Sequence, residues 1–320
     1  MQQGWDWDTI PTEAQDGQAR IAAVIAAKTE SSMSEIKEHD LRTRIALYCA
    51  WAVVFLAVVA AYWPGLSGPW LFDDFGSIAN LGDYGGVRDW ETFKAFVFGG
   101  TAGPTGRPLA LLSFLIDGQN WPTDAWPFKR TNLVIHLLNG ALLGLLISQV
   151  LSVLRLERAR ARQVALVAAA CWMLHPFLVS TTLYIVQRMA QLSTLFIFAG
   201  LIGYIIGRKQ VHARPGLAYA VMSASLAGFT FLAMISKENG ILLPLFALVL
   251  ELTIFAASDR QQLNRYWLAT FIVAPSIVIF LYLADRVVDA RFFDIVPTRE
   301  FSIYAVSYTH LTLPTTIGWC

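Results

Sequence analysis

Five short stretches carry the residues able to do chemistry. Asp73 and Asp74 stand side by side in "LFDDFGSI", and Arg107 sits in "GRPLALLSF". His175 precedes a proline in "LHPFLV", Arg188 follows Gln187, and Lys237 adjoins Glu238 in "SKENG". Taken singly, each has a plain structural use. Adjacent aspartates cap a helix, an arginine snorkels to headgroups, a histidine before proline ends a helix, and a Lys-Glu pair marks a span boundary. Taken together they are acids and bases drawn from separate segments, and a site exists only if the fold collects them. Asn132, His136 and Asn139 share one helix face at i, i+4, i+7 spacing and read as interhelical hydrogen-bond glue. Glu251 reads as a paired or snorkelling carboxylate. The three cysteines, Cys49, Cys171 and Cys320, lack CxxC or His-rich spacing, so neither a metal cage nor a disulfide framework is implied.

The elements that must position these residues are membrane helices. The 320-residue chain is 56% hydrophobic and only 15% charged, with a mean hydropathy of +0.51. A soluble domain carries about 25% charged residues. The net charge of +1 gives no footprint for nucleic acid. Apolar runs at Ile45–Tyr62, Leu133–Leu154, Val164–Val186, Met189–Gly207, Leu217–Ile235, Ile241–Ala257 and Tyr266–Ala284 match the roughly 20 residues a crossing helix needs. They predict an all-α polytopic membrane protein of about seven spans. The first run lacks a cleavage site and reads as an uncleaved signal anchor. The third and fourth runs have two candidate breaks, at His175-Pro176, where the residue before proline resists the helical region, and at Gln187-Arg188.

Lys and Arg in the short loops set the orientation. Arg155, Arg158, Arg160 and Arg162 fill one loop, Arg208, Lys209 and Arg214 another, Arg260 and Arg265 a third. These place the N-terminus in the cytoplasm and the long Trp63–Arg130 segment outside. Asp73, Asp74, Arg107, His175, Arg188, Lys237 and Glu238 then fall at the external face, where an interfacial active site would be built. A bacterial inner membrane, with the site on the periplasmic side, is the expected location.

Both ends read as separate from this domain. Residues 1–44 form a polar cytoplasmic segment, and 1–32 precede a more ordinary start at Met33, as an over-extended start would. "VSYTHLTLPT" matches, letter for letter, a translated transposase-adapter end. Residues 306–320 are therefore read as a non-native tail, leaving 45–305 as a truncated transmembrane domain.

In their order along the chain the motifs resemble a known family. "FDDF" follows the first span, "GRPLALLSF" precedes the second and "NLVIHLLNG" lies within it; "LHPFLVSTTLYIVQR" and "SKENGILLP" come after. The set is similar to the GT-C superfamily of polyprenyl-phosphate-sugar glycosyltransferases. Within it, the likeness is to the animal transmembrane-and-TPR O-mannosyltransferases and their bacterial relatives. It covers about Tyr62–Phe255. Ser180, Thr181 and Thr182 stand where animal members usually carry an acid, and no TPR array follows.

The resemblance implies a GT-C-like helix bundle with a large first external loop. It implies inverting transfer of one sugar from a polyprenyl-phosphate donor to an acceptor outside the membrane, a protein hydroxyl or a surface glycan. Asp73 or Asp74 would be the general base, with Asp74 favoured. Arg107, His175, Arg188 and Lys237 would hold the donor phosphate, where developing negative charge needs cations. Glu238 would orient Lys237. The residues demand no cofactor, though carboxylates beside a phosphate leave room for a divalent metal. Two rival classes are a transporter or flippase, which would place charges deep within several spans, and a non-catalytic scaffold of envelope or pilus assembly.

Overall fold

The computed structural model describes residues 41–101, 103–256 and 263–288, with Glu38. The expected N-terminal segment 1–32 and tail 306–320 lie outside the described residues. Contacts divide the chain into two compact units, Met1–Ala57 and Val58–Cys320. The described part of the first is helical and exposes Tyr48, Val53 and Leu56. Apart from the first helix, which begins in the first unit, everything below concerns the second.

Among the described residues every element is helical, as the composition predicts. Six helices are long and apolar enough to cross a membrane: α1 (Leu41–Ser67), α5 (Trp126–Val153), α8 with its leading turn (Ile185–Lys209), α9 (Pro215–Ser236), the span holding α10 (Glu238–Phe255) and α11 (Arg265–Asp285). The run Val164–Val186, expected as one span, is divided. Helix α6 (Arg158–Met173) stops short, the chain turns at His175-Pro176, a brief α7 (Leu178–Leu183) follows, and a tight turn at Ile185–Gln187 leads into α8. Both candidate breaks are used. Proline lacks a donor and repels a helical predecessor, so α6 ends one turn before it would reach full length.

The α1–α5 connection folds into a helical cap. It contains α2 (Asp73–Ile78), α3 (Trp90–Phe98) and α4 (Pro108–Phe114). Asp89 caps α3 in a reciprocal box with Thr92, which satisfies free N–H groups at its start. Arg107, with φ of 54°, hands the chain to Pro108 at the first turn of α4; proline's fixed φ suits that position. Ile78, Leu81, Phe96, Leu111, Phe114 and Phe128 form the cap's core, together with Ile185 and Met189 of the α8 segment. The cap is therefore built onto the start of α8.

A second core joins α8, α9, α10 and α11. Gly200, Gly203 and Gly207 lie along the face of α8 that meets α9 and α10, where a Cβ would strike Leu243, Ser225 or Met222. Small residues let membrane helices approach closely. Two turns widen to π-helical pitch, Glu251–Phe255 and Ala269–Val273. The first carries Glu251, whose carboxylate accepts from Tyr204 Oη at 2.6 Å and Arg208 Nε at 2.9 Å. Glu251 is thus paired, as its position in an apolar run requires.

Candidate functional site

The two aspartates of α2 have different surroundings. Asp74 is wholly buried. Its Oδ2 accepts the Leu71 N–H at 2.9 Å and its Oδ1 accepts the Val186 N–H at 2.8 Å. Lys129, itself donating to the Pro69 carbonyl at 3.0 Å, supplies a nearby positive charge. Burial holds the Asp74 carboxyl above its ordinary range, opposed by those N–H groups and by Lys129. Asp74 therefore ties the start of the cap to the turn before α8. Asp73 is exposed, and its main-chain N–H donates to the Tyr184 hydroxyl at 2.8 Å. Asp74 was favoured as the base; both its oxygens accept main-chain N–H groups, whereas Asp73 is exposed beside the Tyr184 hydroxyl.

Three and four residues past Asp73, Gly76 and Ser77 share its face of α2. They open a cavity of about 400 Å³. Asn80, Asp83 and Thr101 add polar atoms to its lining, and Met189 closes one side. No cation lines it, so its walls suit a neutral, hydroxyl-rich group better than an anion.

Met189 leads to the cationic part of the site. Its sulfur lies 3.2 Å from Arg107 Nη1. The rest of the guanidinium grips Glu238, with Nη2–Oε2 at 2.9 Å and Nε within 3.1 and 3.2 Å of the two oxygens. Thr105 Oγ1 donates to the same carboxylate at 3.3 Å. Gly103, at φ +71°, passes so close that a Cβ there would meet Glu238 Oε1. Glu238 was expected to orient Lys237; it pairs with Arg107 instead, because the stretch 103–106 that leads into Arg107 lies against it. Lys237 is partly buried next to this pair. Burial lowers its pKa, the Arg107 charge lowers it further, and Glu238 opposes both. Its ammonium has no hydrogen-bond or ion-pair partner among the described residues. Two cations thus face one carboxylate, leaving a net positive charge for an anionic ligand.

Arg188 belongs elsewhere. It is wholly buried. Its Nε donates to Asn132 Oδ1 at 2.7 Å, Nη1 to the Ser113 carbonyl at 2.9 Å and Nη2 to the Phe128 carbonyl at 2.7 Å. Asp117 Oδ2 lies 2.6 Å from Nη2, with both side chains fully buried, and the Phe114 ring stacks at 4.7 Å. All three guanidinium nitrogens are engaged within the protein, so its expected phosphate role is replaced by a structural one: fastening the cap to α5 and α8. His175 is exposed at the α6–α7 turn, where its Nδ1 accepts the Phe177 N–H at 3.2 Å. It makes no hydrogen bond to Asp73, Arg107 or Lys237. The helix-face trio acts as interhelical glue: Asn132 holds Arg188, His136 Nε2 lies 3.0 Å from the Met173 carbonyl, and Asn139 donates to the Gln191 carbonyl at 2.9 Å.

Sequence reasoning missed Asp117, Lys129, Tyr184 and Met189. Asp117 in "IDGQN" has the signature of a turn, and Lys129 beside Arg130 that of a span boundary. Only the fold shows that each is buried against a partner. Among the described residues no three of His, Cys, Asp and Glu gather as a metal site would need. No protein-family model matches the chain, and neither a curated protein nor a solved structure does so.

Proposed function

We propose that the protein is a membrane glycosyltransferase that moves a sugar from a polyprenyl-phosphate donor to a hydroxyl acceptor at the external membrane surface. The observation that carries this reading is the sequence of environments across the cap. An exposed carboxylate, a polar cavity with room for a sugar ring and a net-positive Arg107–Glu238–Lys237 cluster follow one another from α2 to the start of α10. In this reading Arg107 and Lys237 hold the donor phosphate, with arginine suited to two-point contact. The sugar ring sits in the cavity. Asp73 takes the proton from the acceptor hydroxyl as its oxygen attacks the anomeric carbon. The bond from that carbon to the phosphate oxygen breaks, and the two cations receive the negative charge that develops there. Glu238 keeps Arg107 in place until the anion arrives. The acceptor is a protein hydroxyl or a surface glycan.

The reading includes a GT-C-like arrangement of the spans. We count α6 as the seventh crossing, short because of His175-Pro176, which returns the chain to the external face before α8. The cap then lies outside a bacterial inner membrane and the N-terminus inside. The test is reconstitution into liposomes with a radiolabelled polyprenyl-phosphate-sugar donor and candidate hydroxyl acceptors. Transfer that is lost in Asp73→Asn supports the reading. Movement of intact labelled lipid between leaflets without sugar transfer would replace it with a flippase.

A further inference from the structure

At the end of the bundle away from the cap, α5 and α8 finish while α6 and α9 begin. Lys209 links the two turns: its ammonium reaches the Gln149 side chain at 2.7 Å, the Gln149 carbonyl at 3.2 Å and the Ser152 hydroxyl on α5. The α5–α6 and α8–α9 turns therefore lie side by side. Arg155, Arg158, Arg160 and Arg162 of the first and Arg214 of the second are all exposed. None has an ion-pair partner among the described residues. The one acid in these turns, Glu157, is exposed too. The patch carries strong, uncompensated positive charge.

Helix α6 shows what this charge faces. Ala161, Ala165, Ala169 and Met173 form its buried side, packed toward α5. Arg160, Val164, Val167 and Cys171 fall at i, i+4, i+7 and i+11, and all four are exposed. Val167 is 61% exposed and Val164 44%, while Leu154, beside Arg155, is 45% exposed. An arginine thus heads an apolar stripe on one helix face. That is the profile of an anionic amphiphile, with phosphate at the arginines and hydrocarbon along the valines. A soluble acidic partner would meet the charges and leave the valines unmatched. A free phosphate would do the same.

We propose that this end of the bundle is a binding site for anionic phospholipid, with the headgroup phosphate at Arg160, which heads the stripe, an acyl chain along Val164 and Val167, and Arg155, Arg158 and Arg162 adding to the positive field around it. The proposal is independent of the glycosyltransferase reading. The test uses the whole chain, delipidated in neutral detergent. Dioleoyl phosphatidylglycerol and dioleoyl phosphatidylcholine compete for it in mixed micelles, and bound lipid is counted by native mass spectrometry. A base near an anionic surface is worth about a fivefold change in affinity. The wild type is therefore expected to retain phosphatidylglycerol at least about tenfold over phosphatidylcholine. R155Q/R158Q/R160Q/R162Q loses that preference, and the corresponding all-lysine variant keeps most of it. Removing loop bases can disturb insertion, so the wild type is also measured across a KCl series, where the preference should fall as salt screens the patch. Excess inorganic phosphate should not displace the lipid. Absence of preference in the wild type, its persistence in the glutamine variant or at high salt, or equal competition by inorganic phosphate would overturn the proposal.

Discussion

Arg188→Met removes a guanidinium that Asp117, Asn132 and two main-chain carbonyls share, and its cost can be worked from those surroundings. The Asp117 side chain is fully buried. Without Arg188 its remaining contacts are the Thr131 hydroxyl at 2.5 Å and Arg130 at 4.0 Å, the latter 53% exposed. An uncompensated buried charge costs about 3–5 kcal/mol, and this weak residual support places the variant in the upper half of that range. Asp117→Leu leaves the guanidinium, which cannot give up its charge, buried on three neutral acceptors, so it too should cost about 3–5 kcal/mol. D117L/R188M removes both charges together and should recover most of the deficit, ending within about 2 kcal/mol of wild type. The three variants and wild type form a double-mutant cycle. It is measured as unfolding in mixed micelles, followed by tryptophan fluorescence. Since whole domains are stable by only about 5–15 kcal/mol, Arg188→Met should be visibly destabilised. If it unfolds within about 1 kcal/mol of wild type while donor binding disappears, Arg188 is a ligand residue and the structural assignment is wrong. If the double variant is as unstable as the sum of the singles, the pair is not coupled.

Asp73→Asn should cut sugar transfer by about 10²–10⁴-fold without changing the unfolding midpoint, as parallel turnover and unfolding assays would show. Asp74 titrates above its ordinary value when folded, so the native state holds its proton to higher pH than the unfolded chain does. Stability from that proton is complete below the unfolded value of about 3.9 and is lost as pH rises through the folded value. Unfolding from pH 4 upward should show the wild type declining relative to Asp74→Asn. Gly103→Ala puts a Cβ against the Glu238 carboxylate at positive φ; weaker anion binding and a stability loss of about 1–3 kcal/mol are expected in titration and unfolding experiments. A reporter fused after Gly207 should behave as cytoplasmic and one near Gly85 as external, and the same side for both would break the seven-crossing topology.

What the sequence made legible was set by periodicity and charge, which act locally. Apolar run length located the helices, and Pro176 marked the break that divides Val164–Val186. Arg107, His175, Arg188, Lys237 and Glu238 were all expected together at one face; of these, Arg107, Glu238 and Lys237 meet, while Arg188 and His175 have other partners. The partners were not anticipated, because pairing depends on which loop reaches which turn. Glu238 binds Arg107 since residues 103–106 lie against it, and no spacing in the chain encodes that approach. Asp73 and Asp74 are neighbours of identical type, and only the rotation of α2 against Val186 separates a buried strut from an exposed carboxylate. Arg188 looked like a membrane-depth cation in need of a ligand. Its ligand is Asp117, hidden in a stretch that reads as a turn.

The two widened turns bear on how this bundle can change in length. A residue deleted from a regular helix rotates everything after it by about 100°. Such a loss within Leu243–Leu250 would swing Glu251 away from Tyr204 and Arg208, whose bonds to it hold α8 against this span. A π-helical turn already holds one residue more than an α-turn. A deletion inside Glu251–Phe255 or Ala269–Val273 would draw the turn back to ordinary pitch and leave the flanking faces in phase. These two turns act as slack in the chain, the places where one codon can be lost from a membrane helix without turning its neighbours.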